Sequence, residues 1–468
     1  MSVGLLAFLI GLLMSYFGVG LNSLFILSPL LLLVIIMRRV QPIILILIIL
    51  MGLAAGIWRG NALMQKLEPY DRLYGSKVVI RVTASEDATY GKTGQLTFDA
   101  NSIQLVSPSK LELPGRLRVS GMGAPAIYKD DRLEVTGKLH LIRGGRQGVM
   151  SFANIIVVER TDSPLNKFRR NFAAAIQTVL PEPAASFALG ILIGQRSTMP
   201  EAVAANLSAV GLTHIVAVSG YNLTVIVQAV RRGLMKRSKY QTLVAAVALL
   251  VLFLLITGLS APVVRAAVIS GLGLWAWYYG RTFNPVLLLL LAAALTAGWN
   301  PLYLWSDIGW HLSFQAFFGI LIIAPLIIKR LYGQREPKLI AAALLETTAA
   351  QIMTAPYIMY VFQQISTVSL LSNVLVVPMV PLAMLASLVA GLAGLFLPLI
   401  AGWLAWPATY ILTYFLDIAA LLAKVPGALK SISLTLTQTL VCYAIILLVT
   451  VVMYHRQKPD YVTITDER

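Results

Sequence analysis

A histidine and a serine five residues apart are the first place to look for chemistry in this sequence. His214 and Ser219 lie in the otherwise apolar run Gly211-Leu212-Thr213-His214-Ile215-Val216-Ala217-Val218-Ser219-Gly220-Tyr221-Asn222, a pairing that suggests a base and a nucleophile. On a continuous helix five residues turn through about 500°, so the two side chains diverge. A base must reach its nucleophile, and nothing in the spacing brings His311 to Ser219 in place of His214. The four histidines (His140, His214, His311, His455) show no HxH, HxxxH or HExxH spacing, so a zinc centre has weak support. No GxxxxGK[ST] phosphate loop is present. The sequence assigns no catalytic residue, metal or cofactor, and a non-enzymatic role is expected.

The same polar residues gain meaning from where they sit. Intramembrane polar groups are costly and therefore functional candidates, with helix–helix hydrogen bonding as the structural alternative. His214, Ser219 and Asn222 could line a polar path, or Ser219 with Gly220 could serve tight helix packing. Arg265 begins another apolar run and could snorkel to the interface. Asp307, near His311, is expected at the same outer mouth as Arg265, where the two could pair or jointly line an entrance. Gln315, Glu346, Gln351, Gln363 and Asn373 add polar groups on spans or at their ends.

The elements that must position these residues follow from hydropathy. The chain has 468 residues, is 58% hydrophobic and 12% charged, and has a mean hydropathy of +0.79. Lipid is its expected main solvent. Runs near 3–19, 24–37 and 42–57 read as three spans, with Arg38 and Arg39 cytoplasmic. Residues 75–160 alternate apolar and polar positions between turn residues, giving five expected strands near 77–84, 94–106, 114–120, 130–140 and 151–159. Five such strands suit an OB-like barrel on the outer face. An amphipathic helix at 164–180 and a short apolar run at 187–194 precede nine further spans from 209 to 454. The net charge of +17 is expected mainly in cytoplasmic loops, such as the basic stretch 231–239. The fold class expected is thus a polytopic α-helical membrane protein of about twelve spans with one inserted extracytoplasmic five-stranded OB-like β-barrel domain. The expected divisions are membrane helices at 1–60, the β-domain at 66–162, an amphipathic and re-entrant linker at 163–208, a helical channel domain at 209–455 and a tail at 456–468. Both termini fall inside. The segments 187–194 and 370–397, the latter with Pro378 and Pro381, could be re-entrant or broken helices lining a cavity.

These residues resemble the ComEC family of DNA-internalisation competence proteins over nearly the whole chain. The run Leu189-Gly190-Ile191-Leu192-Ile193-Gly194-Gln195-Arg196-Ser197, followed by Gly211-Leu212-Thr213-His214 and Val218-Ser219-Gly220, looks like that family's LLLGxR … GLxH(L/I)xAxSG pattern. Arg265-Ala266-Ala267 resembles the arginine opening a later helix. Asp307 with Leu312-Ser313-Phe314 looks like its DxxFQLSF element, with Trp310-His311 in place of Phe-Gln. Gln351, Pro356, Asn373, Pro378 and Pro381 fall on its Q…P…N…P…P pattern. The resemblance implies a channel in the bacterial inner membrane importing single-stranded DNA during natural transformation. Its polar candidates would be Gln195, Arg196, His214, Ser219, Asn222, Arg265, Asp307, His311, Ser313, Gln351 and Asn373. Longer members carry a metallo-β-lactamase-like domain with an HxHxDH motif, which is not found up to Arg468. A separate nuclease and a cytoplasmic DNA translocase are therefore expected partners, beside membrane lipids and a possible homo-oligomer.

OB domains bind single strands through a basic groove and aromatic stacking. Between 66 and 162 basic residues outnumber acidic ones only modestly and aromatics are sparse. Arg116, Arg118, Tyr128, Lys129, Arg143 and Arg146 are weak candidates for DNA contact, with a solvated barrel surface as the alternative. Two other function classes stay open: a transporter of another polyanionic or amphiphilic solute, and an envelope-assembly scaffold.

Overall fold

The computed structural model describes residues 2–20, 40–90, 95–122, 126–142, 146–161, 163–195, 197–216, 231, 233, 238–257, 261–280, 284–333, 335 and 337–457. Arg143, Arg196, Ser219, Asn222, the expected span at 24–37 and most of that at 209–230 lie outside these residues. In chain order the elements are helices α1 (Ser2–Tyr16), α2 (Val40–Leu67) and α3 (Pro69–Leu73); strands β1 (Lys77–Ala84), β2 (Thr89–Tyr90), β3 (Gln95–Ser107), β4 (Leu111–Leu113), β5 (Leu117–Met122), β6 (Arg132–His140) and β7 (Gly148–Glu159). Helices α4 (Pro164–Val179), α5 (Ala184–Ile193), α6 (Glu201–Ala209), α7 (Thr213–Val216), α8 (Lys239–Thr257), α9 (Ala261–Tyr278), α10 (Pro285–Trp299) and α11 (Leu302–Ser306) follow. The rest comprises α12 (Ile308–Phe318), a π-helical turn (Gly319–Ile323), α13 (Ala324–Tyr332), α14 (Leu339–Phe362), β8 (Gln364–Ser366), α15 (Ser369–Val376), a 3₁₀ turn (Val377–Met379), α16 (Val380–Phe396), α17 (Ala401–Ala423), β9 (Leu429–Ser431) and α18 (Leu436–Gln457).

Among the described residues five helical stretches are long and apolar enough to cross a membrane: Ile44–Leu73, Ile308–Tyr332, Ser369–Phe396, Ala401–Ala423 and Leu436–Arg456. Five shorter apolar helices accompany them, Ser2–Tyr16, Ala184–Ile193, Lys239–Leu255, Val263–Tyr278 and Val286–Trp299. The chain forms two compact units. The first comprises Met1–Asp162 with Leu290–His311, and the second Ser163–Leu289 with Leu312–Arg468.

In the first unit β1 to β7 form one sheet. The strand alternation read from the sequence recurs as burial: Val78, Ile80, Val82 and Ala84 of β1 point inward, and so do Leu133, Val135 and Leu139 of β6. β1 pairs antiparallel with β6, β6 with β7, and β3 with β5, while β5 and β7 run parallel. β1 also pairs with β3, so the pairings lead from β1 through β6, β7, β5 and β3 back to β1. The five expected strands are joined by two short ones, β2 and β4, each paired to β3.

Helices α1 and α2 pack backbone to backbone. Gly52, Gly56 and Gly60 recur every fourth residue on α2 and so share one face. A Cβ on Gly52 would lie 2.6 Å from the Gly4 carbonyl oxygen, one on Gly56 2.7 Å from the Leu12 nitrogen, and one on Gly60 2.6 Å from the Ser15 Cβ. On α1 a Cβ at Gly11 would run into the Leu53 backbone. Contacts advance along both helices together, so α1 and α2 run parallel. This is small-residue packing of the kind apolar solvents require, because lipid supplies no hydrophobic drive between helices. Arg59 donates to the carbonyls of Gly298 (2.9 Å) and Trp299 (2.8 Å), satisfying orphan groups at the end of α10, and the Trp305 ring nitrogen donates to Leu12 O (2.9 Å).

In the second unit α5 is its most enclosed element. All ten of its residues are buried against α4, α16 and α17, including Phe187 edge-on to Phe415 at 6.2 Å. The short apolar run at 187–194 is therefore surrounded by protein. The helix ends at Gly194, whose φ of +72° suits a residue without Cβ, and the Gln195 N–H donates to Leu189 O. At its other end the Glu182 carboxylate accepts from the Ser186 hydroxyl (2.6 Å) and N–H (3.3 Å). The expected break in 370–397 falls at its prolines, where the 3₁₀ turn separates α15 from α16. The expected helix from 209 instead starts with a turn: α6 ends at Ala209, Gly211 has φ +77°, and α7 begins at Thr213.

Replacing Gly56 by leucine should overpack the α1–α2 seam and lower stability by about 1–3 kcal/mol or more. Thermal unfolding in detergent should show a clear drop for Gly56→Leu and none for Gly402→Leu, since nothing lies within 4 Å of a Cβ at Gly402.

Candidate functional site

The polar residues fall into a group in each unit. In the first, Asp99 on β3 receives two guanidinium groups brought from other strands and loops. Arg146 binds it bidentately, Nε to Oδ1 at 2.7 Å and Nη2 to Oδ2 at 2.6 Å, and Arg118 Nε approaches Oδ1 at 3.4 Å. Asp99 and Arg118 are neighbours because β3 and β5 pair them directly. Burial alone would lower the Arg146 pKa, but Asp99, through its hydrogen bonds and charge, together with Glu86 and Asp307, outweighs it and raises the value. Asp307 is thus within electrostatic reach of Arg146. Tyr303 links the same group: burial raises its hydroxyl pKa, Arg116 opposes the rise and Asp307 adds to it. Arg116 itself is held by reciprocal bonds with Gln147, its N–H donating to Gln147 Oε1 (2.5 Å) and its carbonyl accepting from Gln147 N (2.8 Å). Gly115, at φ +102°, leaves the space that the Gln147 side chain fills. The Tyr74 hydroxyl donates to Gln147 O (2.5 Å) and Tyr70 to Pro114 O (3.0 Å), joining α3 to the sheet.

The other weak DNA candidates are also tied into the sheet. The Tyr128 N–H donates to Asp131 Oδ2 (3.0 Å), the Lys129 N–H to Asp87 Oδ1 (2.8 Å), and the Arg160 guanidinium lies 5.7 Å over the Tyr128 ring. Asp307 caps a helix: its Oδ1 accepts from Trp310 N at 2.8 Å at the start of α12. The Trp310 ring nitrogen donates to Thr296 Oγ1 (3.0 Å), and the His311 ring stands edge-on to Trp310 and bonds the Leu304 carbonyl.

In the second unit the Gly211 turn meets the segment 366–373. The Ser372 hydroxyl, fully buried, is hydrogen-bonded to Val210 O (2.6 Å) and Ser369 O (3.0 Å). Gln351 Nε2 donates to Ser369 Oγ (2.8 Å), which in turn donates to Ser366 O (3.1 Å). A Cβ on Gly211 would come 2.7 Å from Ser369 Cβ, so the turn needs glycine for both space and φ. His214, one turn on, has its Nδ1 3.0 Å from Gly211 O and its side chain exposed. Among the described residues, Asn373 Oδ1 and Ser366 Oγ are buried without a hydrogen-bond partner, and so is Gln315 Oε1 on α12. Ser313 is half-buried on that helix.

Arg265 is the largest fully buried side chain described, 1% exposed, with its guanidinium 5.5 Å over the Phe314 ring and 6.0 Å over Phe317. Arginine stays charged in proteins, so a cation is enclosed here among aromatic faces that attract it. Arg265 and Asp307, expected to share an entrance, belong to different units, as do His214 and His311.

These features define a helical membrane protein with a β-sheet domain and polar groups built into its apolar interior. Residues 191–458, more than half of the chain, match the family described as "Competence protein", and the chain belongs to that family. "ComE operon protein 3" of Bacillus subtilis (strain 168) is 23% identical over 232 residues, covering 48% of this chain and 28% of that relative. The chain thus aligns with under a third of its relative's length. No solved structure matches.

Asp99→Ala should leave Arg146 and Arg118 without their carboxylate and weaken the sheet by on the order of 2 kcal/mol. Hydrogen exchange of β3 and β5 amides should speed up accordingly, whereas Glu68→Ala, which removes only an exposed pair with Arg72, should leave it unchanged.

Proposed function

We propose that the chain is a channel carrying one strand of DNA across the bacterial inner membrane during natural transformation. Family membership is the observation that carries this reading. Several features of the molecule support it. The ring of strand pairings fits an OB-like barrel, whose order of five long strands with one parallel pair suits a nucleic-acid-facing domain. The parallel course of α1 and α2 fits a chain that crosses the membrane, returns and crosses again, in line with twelve spans and both termini in the cytoplasm. The boundaries proposed are helices at 1–60, the outer β-domain at 66–162, the linking segment at 163–208, the channel domain at 209–455 and the tail beyond. Arg265 supplies a permanent positive charge in the helical unit, where a polyanion needs one. His214, Gln351 and Asn373 gather beside the Gly211 turn as its proposed polar lining. A separate nuclease and a cytoplasmic translocase would complete the system.

A strain lacking the gene should take up no labelled transforming DNA, and the intact gene should restore uptake. Arg265→Ala should lower uptake about tenfold at equal protein level, as expected when the enclosed cation that organises the helical unit is lost. Unchanged uptake in the deletion strain contradicts the proposal. Full function in the alanine variants of His214, Arg265 and Asp307 would instead point to a scaffold.

A further inference from the structure

Helix α4 carries a polar face into apolar surroundings. It meets α16 at two glycines: a Cβ on Gly391 would lie 2.9 Å from Ile176 Cδ1, and one on Gly394 2.9 Å from Val179 Cγ2. The contacts advance along both helices together, so α4 and α16 run side by side in the same direction. Phe172, Ile176 and Leu180 of α4 are buried in the core that α16 shares. At 1.5 Å per residue the 16 residues of α4 extend about 24 Å, alongside most of α16.

The far face of α16 is apolar and open. Leu382, Leu385, Val389, Leu392 and Phe396 recur every third or fourth residue on the side away from the two glycines, and each is 37% to 70% exposed. Since α16 belongs to the stretch Ser369–Phe396, long and apolar enough to cross a membrane, this row meets lipid. The open face of α4 has the opposite chemistry. Pro164, Lys167, Asn171, Ala174 and Thr178 follow the same three-and-four spacing and are exposed, with exposed Gln177 at their side. Phe168, 37% exposed, stacks at the margin on Phe172 with ring centres 6.0 Å apart. The helix holds three basic residues, Lys167, Arg169 and Arg170, and no acidic one.

We infer that α4 is one wall of a water-filled passage through the helical unit, with Lys167, Asn171, Gln177 and Thr178 facing the water. Hydrocarbon cannot satisfy these groups, yet on the other side of α16 the same depth is lipid. The medium therefore changes from lipid to water across this pair of helices, which accounts for the amphipathic period of α4. The chemistry of the wall suits an extended polyanion. Amides and a hydroxyl bond phosphate oxygens reversibly, the ammonium group attracts them, and no carboxylate of α4 repels them. This inference rests on the DNA-uptake reading and adds to it the helix face along which the strand moves.

The test is cysteine accessibility in the full-length chain, with Cys442→Ser as the background. In liposomes, Asn171→Cys, Ala174→Cys and Thr178→Cys should react with a charged, membrane-impermeant thiosulfonate about tenfold or more faster than Leu385→Cys and Leu392→Cys, because the reactive thiolate forms in water and not in lipid. In cells, a bulky adduct on Ala174→Cys should cut uptake of labelled DNA about tenfold, and Lys167→Glu should do the same where Lys167→Arg does not. Equally slow labelling at all these positions overturns the wall. Quenching of a nitrobenzoxadiazole probe on Asn171→Cys by spin-labelled lipid overturns it in favour of the bilayer, and crosslinking of two chains through Ala174→Cys in favour of an interface between copies. Fast labelling with uptake unchanged by the adduct and by Lys167→Glu also overturns the assignment, since the wet face is then off the strand's path, and it leaves the uptake reading standing. That reading falls separately, if the deletion strain still internalises labelled DNA.

Discussion

Arg265 sets the terms for the helical unit. A guanidinium cannot shed its proton to enter an apolar interior, so the protein must meet its charge with what the bundle can offer. Here that includes the faces of Phe314 and Phe317, two rings three residues apart on α12. Directly after them the helix widens into the π-helical turn Gly319–Ile323, a feature common at functional sites. Gly319 packs there against the Ala349–Ala350 backbone of α14, and α14 also carries Gln351, which is bonded to Ser369. The cation, the irregular turn and the serine-lined junction at Gly211 thus lie along one series of contacting segments.

The first unit answers the same solvent problem with backbone. α1 and α2 approach so closely that glycine is required on both helices, and Arg59 and Trp305 satisfy carbonyls that lipid could not. The sheet packs a conventional apolar core around Phe98, Leu117 and Val135, with Asp99 drawing β3, β5 and the loop before β7 together. Its pairing shifts register where β1 meets β3, at Arg132 on β6, and at the bulge in β7 that holds Phe152.

Much of this was legible in the sequence wherever one local period carried it. Alternation marked the long strands because one face of each is buried, and unbroken apolar runs marked helices at 308, 369, 401 and 436. The prolines at 378 and 381 marked the break between α15 and α16. What depended on contacts distant in sequence was not legible. The carboxylate of Asp307 caps α12 and lies within electrostatic reach of Arg146, which no neighbouring residue in the sequence signals. Arg118 and Arg146 looked like free cations because Asp99, up to 47 residues from them, gives no local sign of receiving them. The four-residue spacing of Gly52, Gly56 and Gly60 was in plain view, but its meaning needed the facing Gly4 and Gly11. The exposure of Phe152 had no signal, since a left-handed phenylalanine follows no turn preference.

The central claim is passage of a single DNA strand through the helical unit. Purified full-length protein in liposomes, with an inside-positive potential imposed to draw a polyanion inward, should accumulate labelled single-stranded oligonucleotide protected from external nuclease, and duplex of the same length should stay outside. Protection no greater than in protein-free liposomes, with the chain folded and correctly inserted, would contradict the account.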